Sequence, residues 1–383
     1  MTGLRSAGVD SGTYSVDIVA IEETDNGFRV FYEEAIPRRL VVEQPSIIVE
    51  KLEKLVEEGV SSIVMSSGYG VPLKRAQEAA MAEIRAATFI HQADEERGLR
   101  ILGLRRAMML LAESGLPVWF TPGVVHLPTV PRWRKLNKID MGTSDKVYSV
   151  AAALREEVED RGTPIEKADL IVLEVGYAYT AAIAVSSGRI VDGIGGSAGF
   201  TGYMGAGAWD SELAYLAAFI EPGFSKERLF EGGAAALLED SWPPPGPDTV
   251  ARRAAEGDIR AQEVIEALAE SAAKDVLALL TAVTPRRVYV TGRWWRVGLF
   301  RQALEEKLNP VLSRLGIETT GLSYKGTAKE AALGAALLAN GLAGGRYSWI
   351  VEALRLRESR GTIFDYIVVG GLAEKARSYY GLD

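Results

Sequence analysis

The sequence contains no cysteine and only two histidines among 383 residues. Without cysteine there can be no disulfide, thiolate zinc site, iron–sulfur cluster or cysteine nucleophile. Two histidines are also too few for a multi-histidine metal centre. Any chemistry must therefore use carboxylates, hydroxyls, lysine, arginine or backbone groups.

The sequence is also short of positive charge and of long apolar runs. It has 43 lysines and arginines against 51 acidic residues, a formal net charge of −8, so we expect no nucleic-acid partner. The longest uncharged stretch, residues 114–131, contains four prolines and does not predict a membrane span. The first residues lack the features of a signal peptide, so we expect a cytoplasmic protein without a membrane partner.

One pattern of strands occurs twice in the chain. Each half opens with three strand-like segments, at residues 6–10, 15–22 and 28–36 and again at 169–175, 179–186 and 189–194. Helices and further strands follow in both halves. This order predicts an α/β fold of two duplicated mixed-sheet domains, residues 1–150 and 151–383, which face each other across a cleft.

The remaining elements follow from apolar spacing and from proline and glycine. Helical spacing covers residues 45–58, 74–114, 210–220, 259–283, 300–315 and 328–342. Further strands are predicted at residues 61–67, 117–125, 287–291 and 317–322. Four prolines within residues 241–248 predict an exposed loop inserted in the second half.

A turn of small residues follows the first strand of each half. The first reads Asp10-Ser11-Gly12-Thr13 and the second Glu174-Val175-Gly176. Phosphate oxygens are bound by close backbone N–H groups, which glycine allows, by hydroxyls, and through Mg²⁺ held by carboxylates. Because such turns also occur in ordinary hairpins, the second copy is what favours a phosphate site.

These motifs resemble those of the superfamily of acetate and sugar kinases, heat-shock ATPases and actin. The two turns resemble its phosphate loops, with Glu174 where aspartate is usual, and Gly292-Arg293 resembles its adenosine motif. The resemblance implies ribonuclease H-like, actin-like ATPase domains that bind ATP in the cleft, with Mg²⁺ held by Asp10 and Glu174. Residues 137–146 are similar to a run in an archaeal family labelled predicted butyrate kinases.

Two further segments supply candidate site residues. Residues 193–207 contain seven glycines and predict either a ligand loop with close N–H donors or a mobile surface loop. Residues 132–146 join the halves and carry five basic side chains against two acidic ones, which favours either an anionic acceptor site or a solvated loop. Asp145 equally predicts a helix cap.

Together these patterns predict an ATP-dependent phosphotransferase. The catalytic candidates are Asp10, Arg132, Asp140, Asp145 and Lys146. The cofactor-binding candidates are Ser11, Gly12, Thr13, Glu174, Gly176, Gly195, Gly196, Ser197, Gly292 and Arg293. We expect a small anionic acceptor, in the first place a carboxylate that becomes an acyl phosphate, since a carboxylate needs charge neutralisation rather than a base. A sugar or polyol kinase, a non-catalytic nucleotide-binding protein and a homodimer all stay open.

Overall fold

Two mixed β-sheets form the framework of the protein. The computed structural model describes residues 3–97, 102–240 and 242–382. The first sheet comprises β1 (Arg5–Ser11), β2 (Ser15–Thr24), β3 (Gly27–Pro37), β4 (Val60–Met65), β5 (Gly70–Arg75) and β6 (Val118–Pro122). The second comprises β7 (Leu170–Val175), β8 (Thr180–Ser186), β9 (Arg189–Ile194), β10 (Arg287–Thr291) and β11 (Glu318–Gly321).

The two sheets share one topology, except that β5 adds an antiparallel strand at the edge of the first. The first has the order β3-β2-β1-β4-β6-β5, and the second has the order β11-β10-β7-β8-β9. In each, an antiparallel three-stranded meander comes first, and parallel strands are then added beside its first strand. The predicted duplication of mixed sheets is therefore confirmed. Nothing tests the residue at which the chain divides, so the boundary after residue 150 stays a prediction.

Helices cover both faces of the sheets. In the described residues they are α1 (Arg38–Glu43), α2 (Ser46–Glu57), α3 (Met81–Thr88), α4 (Gln92–Glu96), α5 (Leu102–Glu113), α6 (Arg132–Lys135), α7 (Ser144–Arg155), α8 (Ser211–Ile220), α9 (Pro247–Ala255), α10 (Ile259–Leu279), α11 (Gly298–Leu312), α12 (Glu330–Leu342), α13 (Ser348–Ala353) and α14 (Leu372–Tyr380). None of these has the length and apolar character of a membrane span.

Two predicted segments differ from the structure. The helical pattern at residues 74–114 begins too early, because β5 runs to Arg75 and pairs with β6, so the first α-helix of this region is α3. In the proline-rich segment, Pro247 is the first residue of α9, a position where the missing N–H needs no partner. Residues 98–101 and 241 of these predicted segments lie outside the described residues.

Helix α12 holds the core of the molecule together. It is buried along its whole length and lies against β1 on one side and α7 on the other. Gly8 in β1 and Gly334 in α12 permit this approach, since a Cβ on either would overlap the neighbouring backbone. The Ser6 hydroxyl adds a hydrogen bond of 2.9 Å to the Ala336 carbonyl. Because β1 ends at the first turn, α12 brings its own N-terminus to that turn.

Candidate active site

The two predicted phosphate turns lie against each other where the two halves meet. The rings of Tyr14 and Tyr177, one from each turn, meet edge to face with centroids 5.1 Å apart. Arg293, which follows β10 in the second half, donates a 2.7 Å hydrogen bond to the Ser15 hydroxyl and lies over the Tyr14 ring. The turns therefore form the two walls of one site.

Asp10 lies at the centre of this site. Its side chain is fully buried, and one carboxylate oxygen accepts a hydrogen bond from the ammonium of Lys329. Burial raises the pKa of Asp10 to about 7 against the opposing effect of Lys329, and the charges of Asp145 and Glu174 raise it further. Carboxylates from both halves thus act on one another at the same place.

Lys146, in the first turn of α7, links the two other acidic groups. Its ammonium donates to Asp145 at 2.5 Å and to Glu174 at 2.8 Å. Against the effect of burial, Lys146 and Thr143 hold the pKa of Asp145 below its ordinary value. Asp145 does not cap the helix, because Thr143 is the N-cap residue.

Glu174 has both oxygens engaged in the structure. One accepts from Lys146 and the other from the Ser149 hydroxyl at 2.8 Å, both on α7. Its longer arm, compared with aspartate, reaches this helix from the end of β7. The residue predicted as the second metal ligand is therefore part of the charged cluster but is already paired.

The residues of the first turn contact both a hydroxyl group and cationic side chains. The Ser11 N–H donates to the Ser66 hydroxyl at 2.8 Å, and the Ser11 hydroxyl accepts from the Arg38 guanidinium at 2.5 Å. Gly12 lies against Lys329, and a Cβ there would overlap the ammonium. Thr13 is exposed at the tip of the turn. Glycine is therefore needed at position 12 because the Lys329 ammonium lies where a Cβ would be.

The glycines of the second half make close contacts with the protein itself. Gly292, at φ +99°, lets the end of β10 approach the Val175 backbone. Gly176 donates its N–H to the Tyr179 carbonyl at 2.9 Å, which closes the second turn. These glycines set the shape of the turn, while their predicted contacts with a nucleotide stay predictions.

Asp140 joins the connector to the glycine-rich loop. Its carboxylate accepts from the N–H of Gly142 and from both the N–H and hydroxyl of Ser197, at 2.9–3.0 Å. A Cβ on Gly195 would overlap the Asp140 carboxylate, and one on Gly196 would overlap the Tyr179 side chain. The observed contacts give these residues a structural explanation, and their catalytic and ligand-binding roles stay predictions.

Most of the basic connector is used to fix its own position. Arg134 donates to the Val191 carbonyl at 2.8 Å, and buried Lys135 donates to the Leu127 carbonyl at 2.8 Å. Arg132 lies exposed on α6, and no contact among the described residues joins it to Asp10 or Asp145. The structure therefore brings Asp10, Asp145, Lys146 and Glu174 together and leaves Arg132 outside that group.

Three residues of the site were missed from the sequence. Lys329 precedes an alanine-rich helix, and nothing local indicates that it reaches Asp10, 319 residues away. Asp17 is paired with Asp10 across the hairpin, and a charged residue between Val16 and Ile18 in an apolar strand was a usable signal. Arg38 follows β3 and is half-buried, and the loss of water around its guanidinium lowers its pKa to about 10.

The residues at Asp10 fit a divalent cation. The second carboxylate oxygen of Asp10 is buried and has no hydrogen-bond partner among the described residues. Among the residues that the structure describes, no three or more His, Cys, Asp or Glu side chains are grouped so that they could hold a metal ion. Mg²⁺ commonly keeps several waters and binds through one or two carboxylates plus substrate phosphates, so one free carboxylate oxygen suits it.

The fold is shared with short-chain carboxylate kinases of known structure. A propionate kinase from Francisella tularensis is 15% identical, with a TM-score of 0.57 over 87% of this chain and 98% of that one. An acetate kinase from Entamoeba histolytica is 10% identical, with a TM-score of 0.55 over 83% and 96%. An acetate kinase from Porphyromonas gingivalis is 13% identical, with a TM-score of 0.52 over 82% and 88%.

These similarities show that the chain has the fold that the resemblance of its turns implies. At such identities they show the fold, two mixed sheets of the actin-like ATPase type, and the chemistry has to be argued from the site. No curated protein sequence matches the chain significantly. The model of the family described as Protein of unknown function (DUF1464) matches residues 8–369, and the chain belongs to that family.

Proposed function

We propose that the protein is an ATP- and Mg²⁺-dependent phosphotransferase that phosphorylates a small anionic acceptor, in the first place a short carboxylate. The observation that carries this proposal is that Lys146 bridges Asp145 and Glu174, near enough to Asp10 for both acidic charges to raise the pKa of Asp10. Lys146 from the segment between the halves completes the cluster. Two carboxylates and a lysine at the junction of two phosphate-type turns suit phosphoryl transfer.

The nucleotide would lie between the two turns. In this arrangement the free oxygen of Asp10 holds Mg²⁺, directly or through water, and the backbone of Gly12 and Thr13 faces the phosphates. When bound, Mg²⁺ neutralises the charge of the phosphate oxygens. Arg293 contributes a cation on the opposite wall, where it already reaches the first turn. The proposed contacts require the two turns to separate enough to admit the triphosphate.

Lys146 supports a carboxylate as the acceptor. An acid with an ordinary pKa near 4 is already ionised at neutral pH, so its attack on a phosphoryl group is limited by charge repulsion rather than by proton removal. The Lys146 ammonium lies among Asp145, Glu174 and Asp10, where it reduces that repulsion. Its side chain is only 14% exposed, so the charge is little screened by water.

A hydroxyl acceptor is the second candidate, and Asp145 favours it. A carboxylate beside the phosphoryl group is suited to accept the proton of an alcohol. Both oxygens of Asp145 are engaged, one by the Thr143 hydroxyl and one by Lys146. A sugar or polyol would therefore have to replace the Thr143 contact.

The test is ADP release measured with ATP, Mg²⁺ and a panel of short carboxylates, sugars and polyols. We expect turnover that depends on a short carboxylate, and a fall of at least about 100-fold in Asp10→Asn. Asp25→Asn is the matched control, since Asp25 is exposed in a hairpin turn of the same half. Turnover with hydroxyl compounds alone would replace the carboxylate by the second candidate. Full activity of Asp10→Asn would contradict the proposed site.

A further inference from the structure

Lys329 is the cation nearest to the carboxylate that we assign to the metal. We propose that Lys329 and a divalent cation compete for Asp10, so that the ammonium occupies the carboxylate without nucleotide and moves to a phosphate oxygen when metal and nucleotide bind. This inference rests on the proposed function for its second step. Its first step, the competition for Asp10, concerns the protein and the metal alone.

The Lys329 ammonium has one hydrogen-bond acceptor and further N–H groups that could donate to another. Lys329 immediately precedes α12, whose packing on β1 directs the side chain to the first turn. Its ammonium has three N–H groups, and within the described residues Asp10 is the acceptor it contacts. The side chain is 13% exposed, so little water is available to the other two. A second anion at this position would accept hydrogen bonds from these two N–H groups.

Gly12 shows that the turn is built around this ammonium. Its missing side chain leaves the volume that the end of the Lys329 side chain fills, and the nearest atom of another residue that a Cβ would approach is the Ser15 carbonyl oxygen, at 3.1 Å. The backbone N–H groups of such a turn are the expected ligands of a phosphate. The ammonium therefore lies between the metal carboxylate and the proposed phosphate position.

Charge explains why the ammonium would leave Asp10. Asp17 is paired with Asp10 across the hairpin, and Lys146 is already shared between Asp145 and Glu174. Without a metal, Lys329 is the cation that offsets Asp10. Once a divalent cation neutralises this carboxylate, the two cations repel each other. The phosphates that arrive with the metal provide the negative charge to which a flexible lysine can turn.

A purely structural ion pair makes a different prediction. If Lys329 only stabilises the folded protein, its removal would lower stability and leave the metal affinity of Asp10 unchanged. If it competes, removal opens the carboxylate. Metal binding without nucleotide therefore separates the two roles, and it does so without reference to turnover.

The first experiment measures free Mn²⁺ by electron paramagnetic resonance at pH 8 without nucleotide. We expect Lys329→Met to bind Mn²⁺ at least about tenfold more tightly than the wild type, and the Asp10→Asn/Lys329→Met pair to lose this gain. Lys325→Met, on the exposed loop before α12, should match the wild type. Gly12→Ala provides a second variant, because its methyl displaces the ammonium and keeps the charge; it should also bind Mn²⁺ more tightly. Unchanged Mn²⁺ affinity in both Lys329→Met and Gly12→Ala would overturn the competition, even in an active kinase.

The second experiment measures binding of a nonhydrolysable ATP analogue at saturating Mn²⁺. We expect Lys329→Met to lose about tenfold in affinity, since a charged hydrogen bond to phosphate is removed, and Lys329→Arg to stay within a few-fold of the wild type. Equal affinity of Lys329→Met and the wild type would overturn the transfer step. Tighter Mn²⁺ binding in a protein that binds no analogue would keep the competition and overturn both the transfer step and the proposed function.

Discussion

The pKa of His126 shows how strongly burial changes the protonation of a single side chain. It lies between β6 and α6, is 2% exposed, and its Nδ1 has no hydrogen-bond partner among the described residues. Burial lowers its pKa to about 4, against a small opposing hydrogen bond with Gly123. The imidazole is therefore neutral in the folded protein at pH values where the unfolded chain is protonated.

This shift predicts acid sensitivity. Because the folded pKa lies below the unfolded value near 6.5, the unfolded chain binds more protons between these values, and stability is lost as the pH falls from 6.5 to 4. We expect His126 to account for a loss of about 3 kcal/mol over this window. Urea unfolding at pH 7 and pH 4.5 measures it. His126→Leu should remove that part of the pH dependence, and an unchanged difference between the two pH values would contradict the assignment.

Single residues also mark the limit of what the sequence could predict about the site. Asp10, Asp145, Lys146 and Glu174 were predicted because each stands in a local pattern, a turn or a charged run. Lys329 was missed because its partner lies 319 residues away, so its role depends on how α12 packs and on no neighbouring residue. Arg132 was selected by local charge, and the structure leaves it exposed.

Among the elements, α12 is the one whose close packing most requires glycine at its contact positions. A Cβ on Gly334 would overlap the Tyr148 carbonyl of α7, and neither backbone can move without disturbing its own helix. Gly8 makes the same kind of approach from β1. The two glycines set the distance between three elements of the core.

We therefore expect Gly334→Ala to destabilise the protein by about 1–3 kcal/mol through overpacking, although alanine is the better helix former. The change in the free energy of unfolding in urea measures it. Gly298→Ala is the matched control, since a Cβ at this first residue of α11 meets nothing within 4 Å. If Gly334→Ala were as stable as Gly298→Ala, α7 and α12 could move apart with little loss of stability, which would contradict the prediction.

The elements also show where periodicity succeeds and fails. The opening strands of each half were predicted because alternation and turn residues define them locally. β5 was missed because its residues, Gly70–Arg75, are mostly half-buried at a sheet edge and carry Lys74 and Arg75, which resemble the start of a helix. Its strand character comes from antiparallel pairing with β6, a non-local contact.

At the scale of the whole molecule, a contact that does not involve the phosphate turns also joins the two halves. Lys226, in the second half, donates to the Phe89 carbonyl at 2.8 Å and to the Thr88 carbonyl at 3.3 Å, both in the first half. Its backbone N–H donates to buried Asp94 at 2.9 Å. The ammonium also lies over the rings of Tyr69 and Phe89. These contacts therefore tie residue 226 of the second half to the end of α3 and to α4 in the first half.

Lys226→Met should weaken this contact between the two halves. The variant keeps the aliphatic stem but removes the hydrogen bonds to both carbonyls, so we expect amide hydrogen exchange to become about tenfold faster in α4 and in residues 221–231, while exchange in β1 and β7 stays unchanged. Mass spectrometry of deuterated peptides measures this. Lys167→Met, an exposed lysine of the second half, is the control. Equal exchange in the two variants would show that the lysine does not hold the halves together.

The pairing of β1 with α12 also has a consequence for how the chain is made. Ser6 and Ala336, which are hydrogen-bonded in the folded protein, are separated by 330 positions. At a ribosomal rate of about 5–20 residues per second, the inner face of the first sheet waits roughly 20–60 s for the helix that covers it. Until α12 has been synthesised, we expect the nascent N-terminal half to expose an apolar sheet face, which favours aggregation.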